Sequence, residues 1–205
     1  MRSSINYGTE TPVTDLFPKQ FLDDFTLYLG LDPNVDPRYQ PIDIIDHLKA
    51  CISTVERDQW RIVLPKEVVL VGDMCDLHKY GDNRVYLPYG NVDELTSFTY
   101  IDKNSETQTV SSGYVLSTME PCFLWATNWN TVAPANTENP IAVTITYTTG
   151  YSSFSAIPSS TIQAIKVLAY HLFVNRGEES VDLPKAYAHL VNQDMIRNQR
   201  CMENC

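Results

Sequence analysis

The sequence predicts an α+β fold, in which a small helical bundle of about four helices carries an inserted antiparallel β-domain. Three observations lead to this prediction. Apolar residues recur at helical spacing near both ends of the chain, large apolar and small polar residues alternate through its middle, and prolines and glycines separate these regions. The predicted parts are an N-terminal helical part at 1–60, a β-rich domain at 61–155, a C-terminal helical part at 156–191 and a polar C-terminal arm at 192–205.

Two helices are predicted in the N-terminal part. The first has Pro18 in its first turn, runs to about Leu29 and is ended by Gly30. The second runs from near Pro41 to about Gln59, because apolar residues form a broad stripe along one face. The members of that stripe are Ile42, Ile44, Ile45, Leu48, Cys51, Ile52 and Val55.

The middle of the chain is predicted to be β-rich. Residues 141–148 alternate large apolar with small or polar side chains, so we expect a strand with one buried face and one Thr-rich face. Residues 102–105, Asp-Lys-Asn-Ser, are typical of a tight turn. They predict a hairpin that joins a strand at 96–101 to one at 107–110.

Two further helices are predicted towards the C-terminus. The first begins near Pro158 and ends at Gly177, a residue that suits a left-handed cap. The second follows Pro184. The apolar face of the first helix consists of Ile162, Ile165, Leu168, Ala169, Leu172 and Phe173. The tail from Asn192 is polar and irregular, and we expect it to be mobile in isolation.

The charge distribution limits the possible function classes. The chain has 205 residues and a net charge of -10, with 25 acidic against 15 basic side chains. Residues 104–165 contain no Lys or Arg, whereas a nonspecific DNA-binding surface needs such cations to displace phosphate counterions. No apolar run is long enough for a membrane span, and the N-terminus lacks a signal-like apolar core, so no membrane association is predicted.

No catalytic or metal-binding pattern is found in the sequence. The four histidines lack metal-site spacing, and Cys201 and Cys205 have no second cysteine pair that would complete a zinc site. The five dispersed cysteines suit a reducing cytoplasm better than a disulfide framework. Neither a phosphate-binding glycine loop nor a nucleophile motif is present. The sequence therefore predicts neither an enzyme nor a cofactor.

Aromatic residues of the β-rich part are the candidates for subunit contacts. Trp125 and Trp129 border a loop rich in Asn, Thr and Pro, where they could stack on a ligand or, as we favour, anchor a neighbouring subunit. Tyr147 and Tyr151 are further candidates, because tyrosine is enriched in protein interfaces.

Several local runs, taken in order, resemble a known family. They are VYLPYGNV at 85–92, FTYID at 98–102, GYVL at 113–116, ITYTTGY at 145–151, IPSSTIQAI at 157–165 and NRGE at 175–178. From about residue 15 to 195, the set resembles the head–tail connector (adaptor) proteins of tailed double-stranded DNA phages, in the version with a β-domain inserted in a helical bundle. The chain differs from that pattern in its loop from Gly72 to Asn83 and in its Cys201–Cys205 ending.

The resemblance implies a structural role in the virion neck, after assembly in the host cytoplasm. Such adaptors form a ring, commonly of twelve copies, beneath the portal protein. They extend the DNA channel, through which DNA passes without sequence-specific binding, and offer a platform for stopper or tail proteins. Their C-terminal segment reaches along the portal, so the arm from Asn192 would dock there. In it, Met195 and Ile196 would fill apolar pockets, and Arg197 and Arg200 would pair with portal acids.

Three other classes remain open from the sequence, of which a small hydrolase is the weakest, because no nucleophile with a base is found. Another neck protein, such as a stopper or tail-completion protein, would share the virion role but contact the portal differently. A β-rich module that binds a host or a carbohydrate would use Trp125 and Trp129, although the flanking helices argue against it.

Overall fold

The computed structural model describes residues 2–6, 11–32, 34, 36, 41–73, 83–175 and 182–195. The predicted α+β class is confirmed. Helices in the described part are α1 (Val13–Leu16), α2 (Lys19–Tyr28), α3 (Pro41–Gln59), α4 (Trp129–Val132), α5 (Ser159–Val174) and α6 (Lys185–Asp194). Strands there are β1 (Arg2–Asn6), β2 (Lys66–Gly72), β3 (Arg84–Tyr86), β4 (Val92–Ile101), β5 (Thr107–Thr109), β6 (Val115–Ser117), β7 (Phe123–Trp125) and β8 (Val143–Thr149).

The chain forms two compact units. The sheet unit contains β1 and Pro65–Gly150, and the helical unit contains Thr11–Leu64 together with the described residues from Tyr151 onwards. The first residues of the chain were predicted to be helical, but Arg2–Asn6 pair antiparallel with β2 as an edge strand. This short Ser-rich segment lacks the alternating apolar pattern by which a strand is recognised in sequence.

The sheet unit contains two antiparallel sheets that contribute to one apolar core. The larger sheet has the strand order β1-β2-β8-β4-β5, and the smaller has the order β3-β7-β6. Along β8, the side chains of Val143, Ile145 and Tyr147 are buried and the threonines between them are half-buried, which confirms the two predicted faces. Phe98 from β4 and Leu124 from β7 join the same core cluster.

The predicted hairpin is also present, as β4 and β5. Thr99 lies opposite Thr109, and the side chain of Asp102 closes the turn. One oxygen of its carboxylate accepts hydrogen bonds from the backbone N–H groups of Asn104 at 2.8 Å and Glu106 at 3.0 Å. The hydrogen bond from Glu106 is the main reason that the pKa of Asp102 lies below its ordinary value.

The helical unit packs the long helices around one core. Proline stands immediately before α2, α5 and α6, where its fixed φ favours the first helical turn and its missing N–H costs nothing. Gly30 ends α2 with a φ of 78°, a left-handed conformation that glycine adopts without strain. The core contains Phe17, Phe21, Phe25, Leu48, Ile52, Val55, Ile165, Leu168 and Tyr187.

Three residues of the predicted apolar faces lie outside the buried core. Ile42 is 67% exposed near the start of α3. Leu172 is 40% exposed near the end of α5, and Ile45 is half-buried while its neighbour Ile44 is buried. A periodic pattern identifies the apolar stripe of a helix, but it does not show how far along the helix the packing partners extend. Ile165 and Ile52, in contrast, are fully buried in one cluster, as predicted.

Candidate interaction surfaces

The small sheet carries a row of exposed and half-buried aromatic side chains on one face. Its antiparallel register places Trp125 beside both Arg84 and Val115, and Phe123 beside both Tyr86 and Ser117. Because side chains alternate between the faces of a sheet, these residues share the outer face. The intervening residues of the three strands point to the core instead. We call the outer surface the aromatic sheet face; its residues are Arg84, Tyr86, Val115, Phe123 and Trp125.

Contacts within the aromatic sheet face hold its side chains in fixed positions. The guanidinium carbon of Arg84 lies 4.8 Å from the centre of the Phe123 ring, a cation–π contact. The ring of Tyr86 meets that of Phe123 edge-on at 6.1 Å. Trp125 is 38% exposed and Val115 is 58% exposed. Contiguous apolar surface of this kind is typical of a binding site for another macromolecule.

Of the four aromatic residues predicted at subunit contacts, Trp125 is the exposed one. Trp129 is fully buried, and its indole Nε1–H donates to the carbonyl of Asn83 at 3.0 Å. Tyr147 is fully buried, and its hydroxyl donates to the carbonyl of Pro88 at 3.0 Å. Burial raises the pKa of the Tyr147 phenol well above its ordinary value. Tyr151 is buried in the helical core, so all three side chains pack in the chain's own interior.

A cluster of hydrogen bonds around Asp194 holds the end of α6 in place. The carboxylate of Asp194 accepts hydrogen bonds from the hydroxyls of Ser160 and Thr161, the latter at 3.1 Å. Both hydroxyls lie in the first turn of α5, where the helix dipole favours a negative charge. The backbone carbonyl of Asp194 accepts from Arg61 Nε at 3.2 Å. The last residue of α6 is therefore joined both to α5 and to the segment after α3.

The segment that follows α3 carries the rest of this polar network. Arg61 is 9% exposed, and one of its terminal nitrogens lies 3.5 Å from the hydroxyl of Tyr151. The buried carboxylate of Glu56 accepts hydrogen bonds from the backbone N–H groups of Val63 at 2.7 Å and Leu64 at 3.0 Å. These bonds compensate for the burial of charged side chains, which would otherwise be costly.

The predicted arm begins later than expected. Residues 192–194 were predicted to be part of an irregular tail, but they continue α6 to Asp194. Met195 follows as a half-buried residue in extended conformation. The other arm residues, Ile196, Arg197 and Arg200, lie outside the described residues, as do Cys201 and Cys205.

The described residues contain no cluster of His, Cys, Asp and Glu that could hold a metal ion. None of the helices in the described ranges is long and apolar enough to cross a membrane. The free cysteines described, Cys51 and Cys122, are both buried. Burial raises the pKa of the Cys51 thiol from its ordinary 9.0 to about 12, so this thiol is a poor nucleophile near neutral pH.

Comparison with known proteins gives matches of structure alone. No protein-family model matches the chain, and no curated protein matches it in sequence. A chain from the neck of an empty gene transfer agent (GTA) particle, computed with C6 symmetry, shares its fold with a TM-score of 0.69 and 18% identity over 95% of both chains. A chain from the virion of a native GTA particle matches with a TM-score of 0.69 and 19% identity, again over 95% of both.

A third similar chain comes from the neck of a native GTA particle, computed with C12 symmetry. It matches with a TM-score of 0.62 and 21% identity, over 91% of this chain and 94% of the other. At such identities the similarity establishes the fold. The chain is thus an α+β protein whose fold, over nearly its whole length, also occurs in components of gene transfer agent particles.

Proposed function

We propose that this protein is a head–tail adaptor, one subunit of a ring in the neck of a virion, and that it acts as a structural component. The ring lies beneath the portal, extends the DNA channel and provides the platform to which stopper or tail proteins bind. The observation that carries the proposal is the fold similarity to chains from the necks of two GTA particle structures. Each match covers more than nine-tenths of this chain and more than nine-tenths of the neck chain. The C6 and C12 symmetries of those particle structures fit a ring assembly.

The charge of the chain supports passage of DNA without binding. Between residues 65 and 150, the described basic side chains are Lys66, which is buried, Arg84 on the aromatic sheet face and Lys103 in a turn. With twelve copies at -10 each, a ring would carry roughly -120 charges. A ring with this charge repels the phosphates of DNA. Repulsion suits a channel through which DNA must pass without being bound.

The C-terminal arm is proposed to dock on the portal. Arg197 and Arg200 provide two cations in an acidic chain, and Met195 and Ile196 provide the large apolar side chains. The arm starts directly after Asp194, whose hydrogen bonds to Ser160, Thr161 and Arg61 fix the point of exit. A fixed exit point limits the volume that the arm searches and so favours docking on a matching site.

Removal of the arm tests this proposal. The cut belongs after Met195, because it removes Ile196 and both arginines and keeps Asp194, with its hydrogen bonds within the helical unit, as an internal residue. We expect the truncated protein to melt at the temperature of the full chain, since the described core is intact. Its incorporation into portal-bearing heads, measured by quantitative gel analysis of purified particles, should fall about tenfold or more. Normal incorporation would contradict the docking role of the arm.

Charge substitutions provide a matched control for the truncation. Arg197→Ala combined with Arg200→Ala should weaken incorporation in the same direction, because both cations are removed while the length is kept. Lys103→Ala removes a cation from the exposed β4–β5 turn and should leave incorporation unchanged. Equal losses in both variants would indicate a general charge effect and would argue against specific docking.

The order of assembly distinguishes an adaptor from the other neck proteins. An adaptor should bind heads that carry the portal and no further neck component. A stopper or tail-completion protein should bind only after another neck protein is in place. Binding to portal-only heads is therefore the expected result, and electron microscopy of such heads should show the added ring.

A further inference from the structure

The end of α6 is held in part by a hydroxyl group that has two acceptors and one hydrogen. Thr161 Oγ1 lies 3.1 Å from a carboxylate oxygen of Asp194 and 3.2 Å from Oε1 of Gln59. A hydroxyl donates one hydrogen bond at a time, so these two acceptors compete for the same hydrogen. Both Gln59 and Thr161 are fully buried. A buried hydroxyl needs an acceptor within the protein, and each of the two can serve.

The side-chain amide of Gln59 is oriented for this competition. Its Oε1 faces Thr161, while its Nε2 is buried and has no hydrogen-bond partner among the residues that the structure describes. A buried N–H donor without a partner costs free energy, so the orientation calls for a compensating gain. The gain is a second acceptor for the Thr161 hydroxyl.

The two acceptors occupy different positions in the fold. Gln59 is the fully buried last residue of α3, whereas Asp194 is the half-buried last residue of α6, directly before the arm. Ser160, the other hydroxyl that donates to Asp194, is half-buried and can bond to water instead. Departure of Asp194 therefore leaves the buried Thr161 hydroxyl with an acceptor, because Gln59 takes over.

We infer that Asp194 is a detachable latch for the end of α6. In the latched state Thr161 donates to Asp194, and in the released state it donates to Gln59. The released last turn of α6 frays, as helix ends do when tertiary contacts no longer hold them.

The latch controls how the arm is presented, a step that rests on the proposed function. The arm follows Asp194 directly, so the latched fraction of the chains presents it from a fixed point. The apparent affinity for a docking site falls in proportion to the fraction of chains that are competent to bind.

Hydrogen exchange at the last turn of α6, followed by mass spectrometry of the isolated full chain, tests the latch. Gln59→Met keeps the approximate size of the side chain and removes Oε1. Release then leaves the Thr161 hydroxyl without an acceptor, so exchange in α6 should slow about tenfold. Asp194→Asn weakens the latch, and exchange there should become about tenfold faster. Slower exchange is a specific result, because a substitution that disturbs core packing makes exchange faster.

Two comparisons separate the latch from a general change in stability. Gln163→Met, at an exposed glutamine of α5, is the matched control and should leave exchange in α6 unchanged. In a Thr161→Val background the competing hydroxyl is absent, so Gln59→Met should no longer slow exchange. The difference between the two backgrounds isolates the coupling between Gln59 and Thr161.

Two results would overturn the inference. One is an equal effect of Gln59→Met in both backgrounds. The other is unchanged exchange in Gln59→Met alone, which is the result expected if Nε2, in place of Oε1, faced Thr161.

Incorporation into portal-bearing heads separates this inference from the proposed function. Asp194→Asn should incorporate less than the unsubstituted protein, and Gln59→Met at least as well, because the latched fraction changes in that order. The expected exchange rates with equal incorporation of all variants would remove the link between latch and arm. Failure of every chain to incorporate, the unsubstituted protein included, would remove the adaptor role and leave the latch, which is measured on the isolated protein.

Discussion

At the scale of single residues, the hydrogen bonds of Asp194 show how one residue at the end of α6 can join that helix to α5 and to the segment after α3. Its carboxylate interacts with the first turn of α5, and its carbonyl with Arg61. None of these residues forms a recognisable motif, because they come from three separate parts of the chain. Their position at the end of α6 gives the helical unit a defined C-terminal boundary.

Asp194→Ala should destabilise the helical unit. It leaves the hydroxyl of Ser160 without its acceptor and that of Thr161 with Gln59 Oε1, at 3.2 Å, as its remaining acceptor; loss of hydrogen bonds to a charged group costs about 1–3 kcal/mol. The free energy of unfolding from urea denaturation measures this effect. Gln193→Ala, at the exposed neighbouring position, serves as the control and should change stability by less than about 0.5 kcal/mol. Equal stability of the two variants would show that the Asp194 bonds contribute nothing.

Cys51 gives the helical unit a sensitivity to alkaline pH. Burial raises the pKa of its thiol from 9.0 to about 12, so folding favours the neutral form. The stabilisation from this group is fully present below pH 9.0 and is lost as the pH rises through about 12. Tyr187 acts in the same direction, because burial and its hydrogen bond to Asp58 raise the pKa of its phenol.

The melting temperature should therefore fall between neutral pH and a pH of about 11, and Cys51→Ala should reduce the size of that fall. The comparison uses the slope against pH, since loss of the thiol volume lowers stability equally at every pH. Cys122→Ala provides a buried-cysteine control in the sheet unit. If the slope of Cys51→Ala matched that of the unsubstituted protein, the thiol would not contribute to alkaline unfolding.

Some residue roles could be predicted from sequence and others could not, for a definite physical reason. The period of two along residues 141–148 predicts that alternate side chains of β8 are buried. Applied to Tyr147, the same period places it on the buried face with Val143 and Ile145, which argues against its use at an interface. Phe123 and Arg84 lie in three-residue strands, and so short a strand has no periodicity from which its exposed face can be read.

At the scale of elements, the long helices and the strand β8 are the parts that sequence predicts well, whereas β2 was not predicted and β4 was predicted only from residue 96. α2 and α3 and the strand β8 each carry a sustained pattern and flanking prolines or glycines. β3, β6 and β7 contain three residues each, and their assignment depends on partners that are distant in sequence. The aromatic sheet face therefore becomes visible only in the structure, although one of its residues, Trp125, was a candidate from sequence.

Alanine substitutions compare the buried and exposed parts of the helix faces. Ile165→Ala and Ile52→Ala should each cost about 2–5 kcal/mol of unfolding free energy, because both side chains are fully buried in the helical core. Leu172→Ala should cost much less, since that side chain is 40% exposed. Thr144→Ala and Thr146→Ala on the half-buried face of β8 should also cost little. Urea denaturation measures all five variants, and neutral changes at Ile165 and Ile52 would contradict the assigned core.

At the scale of the whole molecule, the chain combines two compact units with a net charge of -10. Each unit buries its own apolar core and leaves aromatic side chains exposed, among them Trp125 in the sheet unit and Tyr170 in the helical unit. A partner that covers exposed apolar side chains gains free energy from the area removed from water. The negative charge opposes close approach of many copies, so we expect the proposed ring to need a template for its assembly.

The isolated protein should accordingly be a monomer or a weak oligomer, and it should form a closed ring on portal-bearing heads. Each new neighbour in a ring adds the repulsion of another -10 charges. On a head, the proposed contact with the portal would hold the copies at the correct spacing, so each contact would form at high effective concentration. Light scattering measures the mass in solution, and electron microscopy of the heads shows the ring. Raised salt should shift the free protein towards association, because it screens the long-range repulsion. A stable dimer that is not part of a ring, in solution and on heads alike, would contradict both the assembly mode and the adaptor role.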